Sequence, residues 1–211
     1  MLLSPTLDHI RRGPWNPSGS ARWVGLALLL ALATASQAGA PLGTAIAERA
    51  DALVGLRSVS VVSRSVPDDC TGLVRLIYGE KGIDLRALPA KPGDNGVTIL
   101  FRAARRARAF HRREPKAGDI VFFRETYDRN RDGKRNDGLT HVGVVDSVGQ
   151  SGTLTFVHRA RAGIRRSRLD LRHPRNKRTN DILRRASAGN RALLAGELVT
   201  GFASPERLRK N

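Results

Sequence analysis

Thr140-His141-Val142-Gly143-Val144-Val145-Asp146-Ser147-Val148, then Gly149-Gln150-Ser151-Gly152, then Thr153-Leu154-Thr155-Phe156-Val157-His158, is the stretch that decides the fold. Two runs rich in β-branched and aromatic residues flank a glycine-bearing connection, the pattern of an antiparallel strand pair. If residues 149–152 form the loop, Gly143 pairs with His158 and His141 with Ala160, and the two imidazoles are same-face diagonal neighbours within about 7–8 Å. If Gly149-Gln150 forms a two-residue turn instead, Val148 pairs with Ser151 and His141 lies directly opposite His158. Both registers put His141 and His158 on one face. A three- or five-residue loop breaks this, because a one-residue slip sends side chains to the other face.

Working outward, Asp119-Ile120-Val121-Phe122-Phe123 reads as another strand, and the segments before Pro115 read as helices. Thr44 to Leu56 carries Ile46, Ala50, Leu53 and Val54 at helical spacing. Asp68-Asp69-Cys70-Thr71-Gly72 opens a second helix with Leu73, Val74, Ile77 and Tyr78 on one side and Gly79 and Gly82 as stops. Asp94 or Asn95 caps a third, with Val97, Leu100, Phe101 and Ala104 inward and a basic stripe outward. Beyond His158 the chain turns Arg-rich, with a further strand or two expected near Ile164 to Leu171 and a weak helical segment from Asp181 to Leu194. Helices first and adjacent strands afterwards predict an α+β domain with an antiparallel sheet.

The chain of 211 residues carries 37 Lys and Arg against 19 acidic residues, a formal charge of +18, so an anionic partner or surface attracts it at low salt. Arg11, Arg12 and Arg22 precede a ten-residue apolar run, Val24 to Ala33, with small residues at Ser36, Ala38 and Ala40. That is the layout of a secretory signal over residues 1–38, with Gly39 as the new first residue; an uncleaved anchor is the rival. Residues 1–38 hold three Arg and one Asp, which leaves +16 to the mature chain. A membrane span needs about 20 apolar residues, and the rest of the chain has no such stretch, so no mature transmembrane helix is expected. Only two Tyr, two Trp and six Phe are present, the Phe mainly in core patterns, so a nucleic-acid binder lacks its stacking platform.

Cys70 stands alone in the chain and cannot form an internal disulfide. At a helix N-terminus its thiolate is favoured by the helix dipole and by any adjacent imidazolium, which lowers its pKa. A histidine base needs a third group to fix its tautomer. Cys70, His141 and His158 supply nucleophile, base and orienter.

These residues resemble a known family. Asp69-Cys70-Thr71-Gly72-Leu73-Val74, Pro115-Lys116-Ala117-Gly118-Asp119-Ile120-Val121-Phe122-Phe123 and Thr140-His141-Val142-Gly143-Val144-Val145 look like successive signatures of the NlpC-type, papain-like cell-wall cysteine peptidases, with the CHAP amidases as near relatives. The resemblance covers about residues 44–160. It implies helices packed on a small antiparallel sheet and hydrolysis of amide bonds in peptidoglycan stem peptides, typically between D-glutamate and a diamino acid. Two departures stand out. Val61 to Pro67 replaces the aromatic and double-glycine segment usual before the cysteine, and the long stretch from Cys70 to His141 implies an insertion.

Within that stretch, Asp128, Asn130, Asp132 and Asn136 fall at positions 1, 3, 5 and 9 of a calcium loop, with Gly133 at position 6. Position 12 is Leu139, for which Asp137 at position 10 is the substitute. A polar turn rich in Asp, Asn and Gly is the other reading.

The expectation is therefore a monomeric peptidoglycan hydrolase, secreted or held in the periplasm or envelope of a bacterium, with no cofactor for catalysis and a structural calcium. Residues 39–205 form its domain, with core motifs at 66–160, the insertion at 125–138 and a basic tail at 206–211. Its charge holds it on the anionic envelope. The alternatives are a catalytically inactive, basic envelope-binding module of the same fold and, less favoured, a nucleic-acid binder.

Overall fold

The computed structural model describes residues 40–85, 89–187 and 189–210. The expected signal over 1–38 and the expected new N-terminus at Gly39 lie outside these residues.

Three helices come first: α1 (Leu42–Asp51), α2 (Cys70–Gly79) and α3 (Gly96–Arg106). The local causes are plain for α2. Asp69 is its N-cap, with Oδ1 accepting from the backbone N–H groups of Thr71 and Gly72 at 2.8 Å each. Leu73, Val74, Ile77 and Tyr78 are fully buried. A Cβ at Gly72 would lie 1.7 Å from the Pro67 carbonyl oxygen, so only glycine lets the preceding loop pass this close to the first turn. Asn95 caps α3 through Thr98 N–H, and its Nδ2 donates to Leu139 O at 2.7 Å, which ties α3 to the strand that carries His141.

The strands are β1 (Phe110–His111), β2 (Ile120–Arg124), β3 (Leu139–Val148), β4 (Thr153–Ala160), β5 (Gly163–Asp170), β6 (Ile182–Arg184), β7 (Leu193–Leu194) and β8 (Val199–Ala203). Six of them form one antiparallel sheet in the order β1-β8-β2-β3-β4-β5, and β6 pairs with β7 apart from it. The fold is α+β, as expected. Both sheet faces are covered. Val142, Val144 and Phe122 pack toward α1–α3, while Phe123, Val145 and Phe156 pack toward Leu193, Leu198 and Phe202 from the C-terminal region. Covering on both sides explains why Ile120-Val121-Phe122-Phe123 is apolar without alternation.

Two expectations for the C-terminal region are corrected. The helical segment expected over Asp181 to Leu194 is instead β6, a loop and β7, followed by the short helix α4 (Ala195–Leu198). Arg184 is buried there with Nη1 donating to Glu125 O at 2.9 Å, a tertiary bond that no local periodicity encodes. The expected basic tail is structured as well: Pro205–Arg209 form α5, and Leu208 enters the helical core.

The hairpin register is instructive. Val148 pairs with Leu154, a connection of the odd length that should have turned the histidines apart. Asp146 is an extra residue between Val145 and Ser147, and this bulge restores Val144 opposite Val157. Continued, that register sets Gly143 opposite His158 and His141 opposite Ala160, the alignment expected of a four-residue loop. Thr155 Oγ1 and Arg166 Nε bind the Asp146 carboxylate at 3.0 and 2.5 Å and hold the bulge.

Candidate active site

His141 Nε2 and His158 Nδ1 are 2.8 Å apart, and His158 Nε2 meets Ser167 Oγ at 3.1 Å. The rings are nearly perpendicular, with centroids 5.0 Å apart. Phe123 flanks His141 and Phe156 flanks His158. A Cβ at Gly143 would sit 2.8 Å from Val157 O and 3.2 Å from His158 Cβ, so a glycine between the two histidine strands lets them close on each other.

Cys70 and His141 line one cleft of about 390 Å³ together with Asn95, Tyr127 and Arg159. The backbone N–H groups of Val142, Cys70 and Thr71 face Sγ and favour its anion. They lose to burial, seconded by the charge of Asp69, and the thiol is pushed up to about 11. This corrects the expectation of a lowered thiol. The carboxylate that caps the helix opposes a second negative charge one residue on. Burial likewise holds both imidazoles well below their ordinary range; a proton on His141 is further opposed by His158, while on His158 burial outweighs the pull of Asp181, with a smaller opposition from Arg165. Burial therefore favours a neutral thiol and neutral imidazoles.

The hydrogen bonds allow one consistent assignment for a base at His141. Nε2–H of His141 donates to His158 Nδ1, Nε2–H of His158 donates to Ser167 Oγ, and His141 Nδ1 keeps its lone pair. Ser167 escaped sequence reading because one Ser among the arginines of β5 carries no motif. Tyr127 and Arg159 escaped too. Arg159 is held by a bidentate pair with Asp68 at 3.0 and 3.1 Å, and Asp68 also accepts from Val59 N–H at 2.8 Å. That arrangement keeps the Asp68 carboxyl far below its usual range, chiefly through Arg159.

The expected calcium residues share one loop before β3. Gly133 N–H donates to Asp128 Oδ2, Asp132 N–H to Asn130 Oδ1, and Arg129 and Asn130 N–H to Asp137 Oδ1. Asp132 takes the side-chain amides of Asn130 and Asn136. One oxygen each of Asp128 and Asp137 is buried without a partner. Among the described residues no group of three or more His, Cys, Asp or Glu gathers closely enough to hold a metal ion.

Residues 62–160 match the family model of the CHAP domain. Over that segment, a little under half of its length, the chain is similar to the CHAP domain. CHAP domains are related to the NlpC and papain-like cysteine peptidases, in agreement with the motifs around Cys70 and His141, and are generally hydrolases acting on peptidoglycan. The matched segment includes Cys70, His141 and His158 but ends before Ser167. No curated protein matches the chain. No helix among the described residues is long and apolar enough to cross a membrane.

Proposed function

We propose that this protein is an exported, papain-like cysteine peptidase or amidase that cleaves amide bonds in peptidoglycan stem peptides, with Cys70 as nucleophile, His141 as base and then acid, and His158 as orienter. The observation that carries the reading is the 2.8 Å bond between His141 Nε2 and His158 Nδ1 beside the cleft that Cys70 enters. The Cys70 proton passes to His141 Nδ1 as Sγ adds to the carbonyl carbon, so the thiolate forms only as it attacks. The oxyanion meets the N–H groups at the start of α2 and at Val142. His141 returns the proton to the leaving amine as the C–N bond breaks. A water then hydrolyses the thioester with His141 again as base.

The high thiol pKa supports a second reading, an inactive module that binds the envelope through its positive charge. One experiment separates them. Purified peptidoglycan incubated with the mature protein should release new amine and carboxyl ends by mass spectrometry, and Cys70→Ala should release none. Release that survives Cys70→Ala sinks the mechanism, and no release from either favours the inactive module.

A structural calcium in the 128–137 loop belongs to the same proposal. It is supported by the two unpartnered oxygens of Asp128 and Asp137, which a cation would satisfy. Its chemistry would be to neutralise these carboxylates ahead of the strand bearing His141. A thermal melt should rise with millimolar calcium over chelator, by about 2.7 kcal/mol at a hundredfold excess over Kd. An unchanged midpoint in metal-free protein leaves a polar turn only.

A further inference from the structure

Beside the catalytic cleft lies a second concavity of about 630 Å³, and the two share Tyr127, His141 and the segment Arg159–Arg161. Its lining holds five arginines, Arg159, Arg161, Arg165, Arg184 and Arg185, against a single carboxylate, Asp128. Arg159 is neutralised by Asp68. The others are not. Among the described residues Arg161, Arg165 and Arg185 have no ion pair or hydrogen bond. Arg184 is 4% exposed, and its guanidinium bonds a backbone carbonyl rather than a carboxylate. A buried cation without a counter-charge is costly unless an anion arrives to meet it.

The position of these groups narrows the anion. Arg165 is the register partner of His158 in the β4–β5 pair, so its side chain leaves the sheet on the histidine face. Ile182, Leu183 and Ala186 line the same hollow, which suits an extended organic chain better than a free ion. A guanidinium fork matches a planar carboxylate in bidentate fashion. A polyanionic strand would call for a track of charge across the surface, whereas these arginines converge on one end of the catalytic groove.

We propose that this arginine-lined hollow is a substrate subsite that takes a free carboxylate of the peptide being cleaved, a few bonds from the scissile amide. The proposal deepens the peptidase reading and rests on it for the identity of the peptide. Arg161, Arg165, Arg184 and Arg185 lie outside the segment matched to the CHAP family, so the preference belongs to this chain's own C-terminal region.

The test uses the full chain carrying Cys70→Ala, which binds without turnover. Two probes are titrated calorimetrically at low salt: L-alanyl-γ-D-glutamyl-L-lysyl-D-alanine, and the same peptide with both carboxylates amidated. The free acid should bind at least about tenfold more tightly, as expected of charge-assisted bonds to an arginine pair. Adding Arg165→Gln with Arg185→Gln should bring the two affinities together, mainly by weakening the acid. Both arginines are exposed, so folding is not at stake. Equal affinity of acid and amide overturns the subsite, as does a preference that survives both substitutions. Binding of inorganic polyphosphate without discrimination between the peptides overturns it in favour of a polymer-binding patch. Turnover by the unsubstituted chain is read separately. Hydrolysis without acid preference removes the subsite and leaves the peptidase, while preference without hydrolysis removes the peptidase and leaves the subsite.

Discussion

Two histidine sites on the same sheet have opposite characters. His111 on β1 directs Nε2 at Asp119 Oδ2, 3.2 Å away, and Nδ1 at the Arg113 carbonyl, 2.8 Å away. Both nitrogens face acceptors, so the proton is welcome, and the Asp119 bond raises its pKa despite partial burial. The half-buried His141 and the buried His158 face each other without a contacting carboxylate, and the proton is disfavoured. The first is a structural group whose proton is favoured by a carboxylate that is 3% exposed. The second, in the proposed mechanism, is a neutral relay that accepts a proton only when the chemistry supplies one. Neighbours, not the residue type, decide which job an imidazole performs.

The sharpest way to break this contrast is substitution. His141→Ala should cost at least ~10² in hydrolysis rate through loss of the base, while His111→Ala should leave the rate within about twofold and lower stability by about 1–3 kcal/mol, as Asp119 loses a partner. Parallel kinetics and urea melts check both. Equal activity losses would erase the distinction.

Reaction of the thiol sharpens it next. With no imidazolium beside it and its thiol near 11, Cys70 should react slowly with iodoacetamide at pH 6–7 and about tenfold faster per pH unit up to that value. Fast alkylation that is flat from pH 6 to 8 would mean a thiolate–imidazolium pair, and His141 would then resemble His111.

Stability against pH gives opposite slopes. An unfolded histidine titrates at about 6.5. Below that value the unfolded chain takes up protons that the folded His141–His158 pair refuses, so stability is complete above it and falls as pH drops, by about 1.4 kcal/mol per unit for each group. His111 works the other way: its contribution is complete below 6.5 and is lost as pH rises through its raised folded value. His141→Gln with His158→Gln should flatten the acid limb of a chemical-denaturation series, and His111→Gln the alkaline one.

The same contrast marks what the sequence could disclose. α2, α3 and β2–β4 were legible because capping residues and periodicity are local, and so was the shared face of His141 and His158. Loop length alone does not encode the register, since it depends on a bulge at Asp146 that Arg166 and Thr155 hold from neighbouring strands. β8 was not legible. It enters between β1 and β2 from the far end of the chain, and only tertiary pairing defines its place. The direction of the thiol's shift is not legible either, because the helix N-terminus is visible in Asp69-Cys70-Thr71, whereas the burial that outweighs it is not.

Ser167 gives the smallest and most specific effect. It lies on β5, beyond the segment matched to the family, and its hydroxyl is the group that meets His158 Nε2. If that bond fixes the His158 tautomer, Ser167→Ala leaves Nε2–H of His158 to water and lets Nδ1 carry the proton part of the time. In that state Nδ1 cannot accept from His141, whose own proton then moves to the nitrogen that should receive the Cys70 proton. The expected loss is about two- to tenfold in kcat with KM unchanged, less than for His158→Ala, because an orienting bond is replaced in part by solvent. Ser167→Thr should restore the rate, since it returns the hydroxyl. A loss confined to KM, or one that Thr fails to rescue, would assign Ser167 to packing alone.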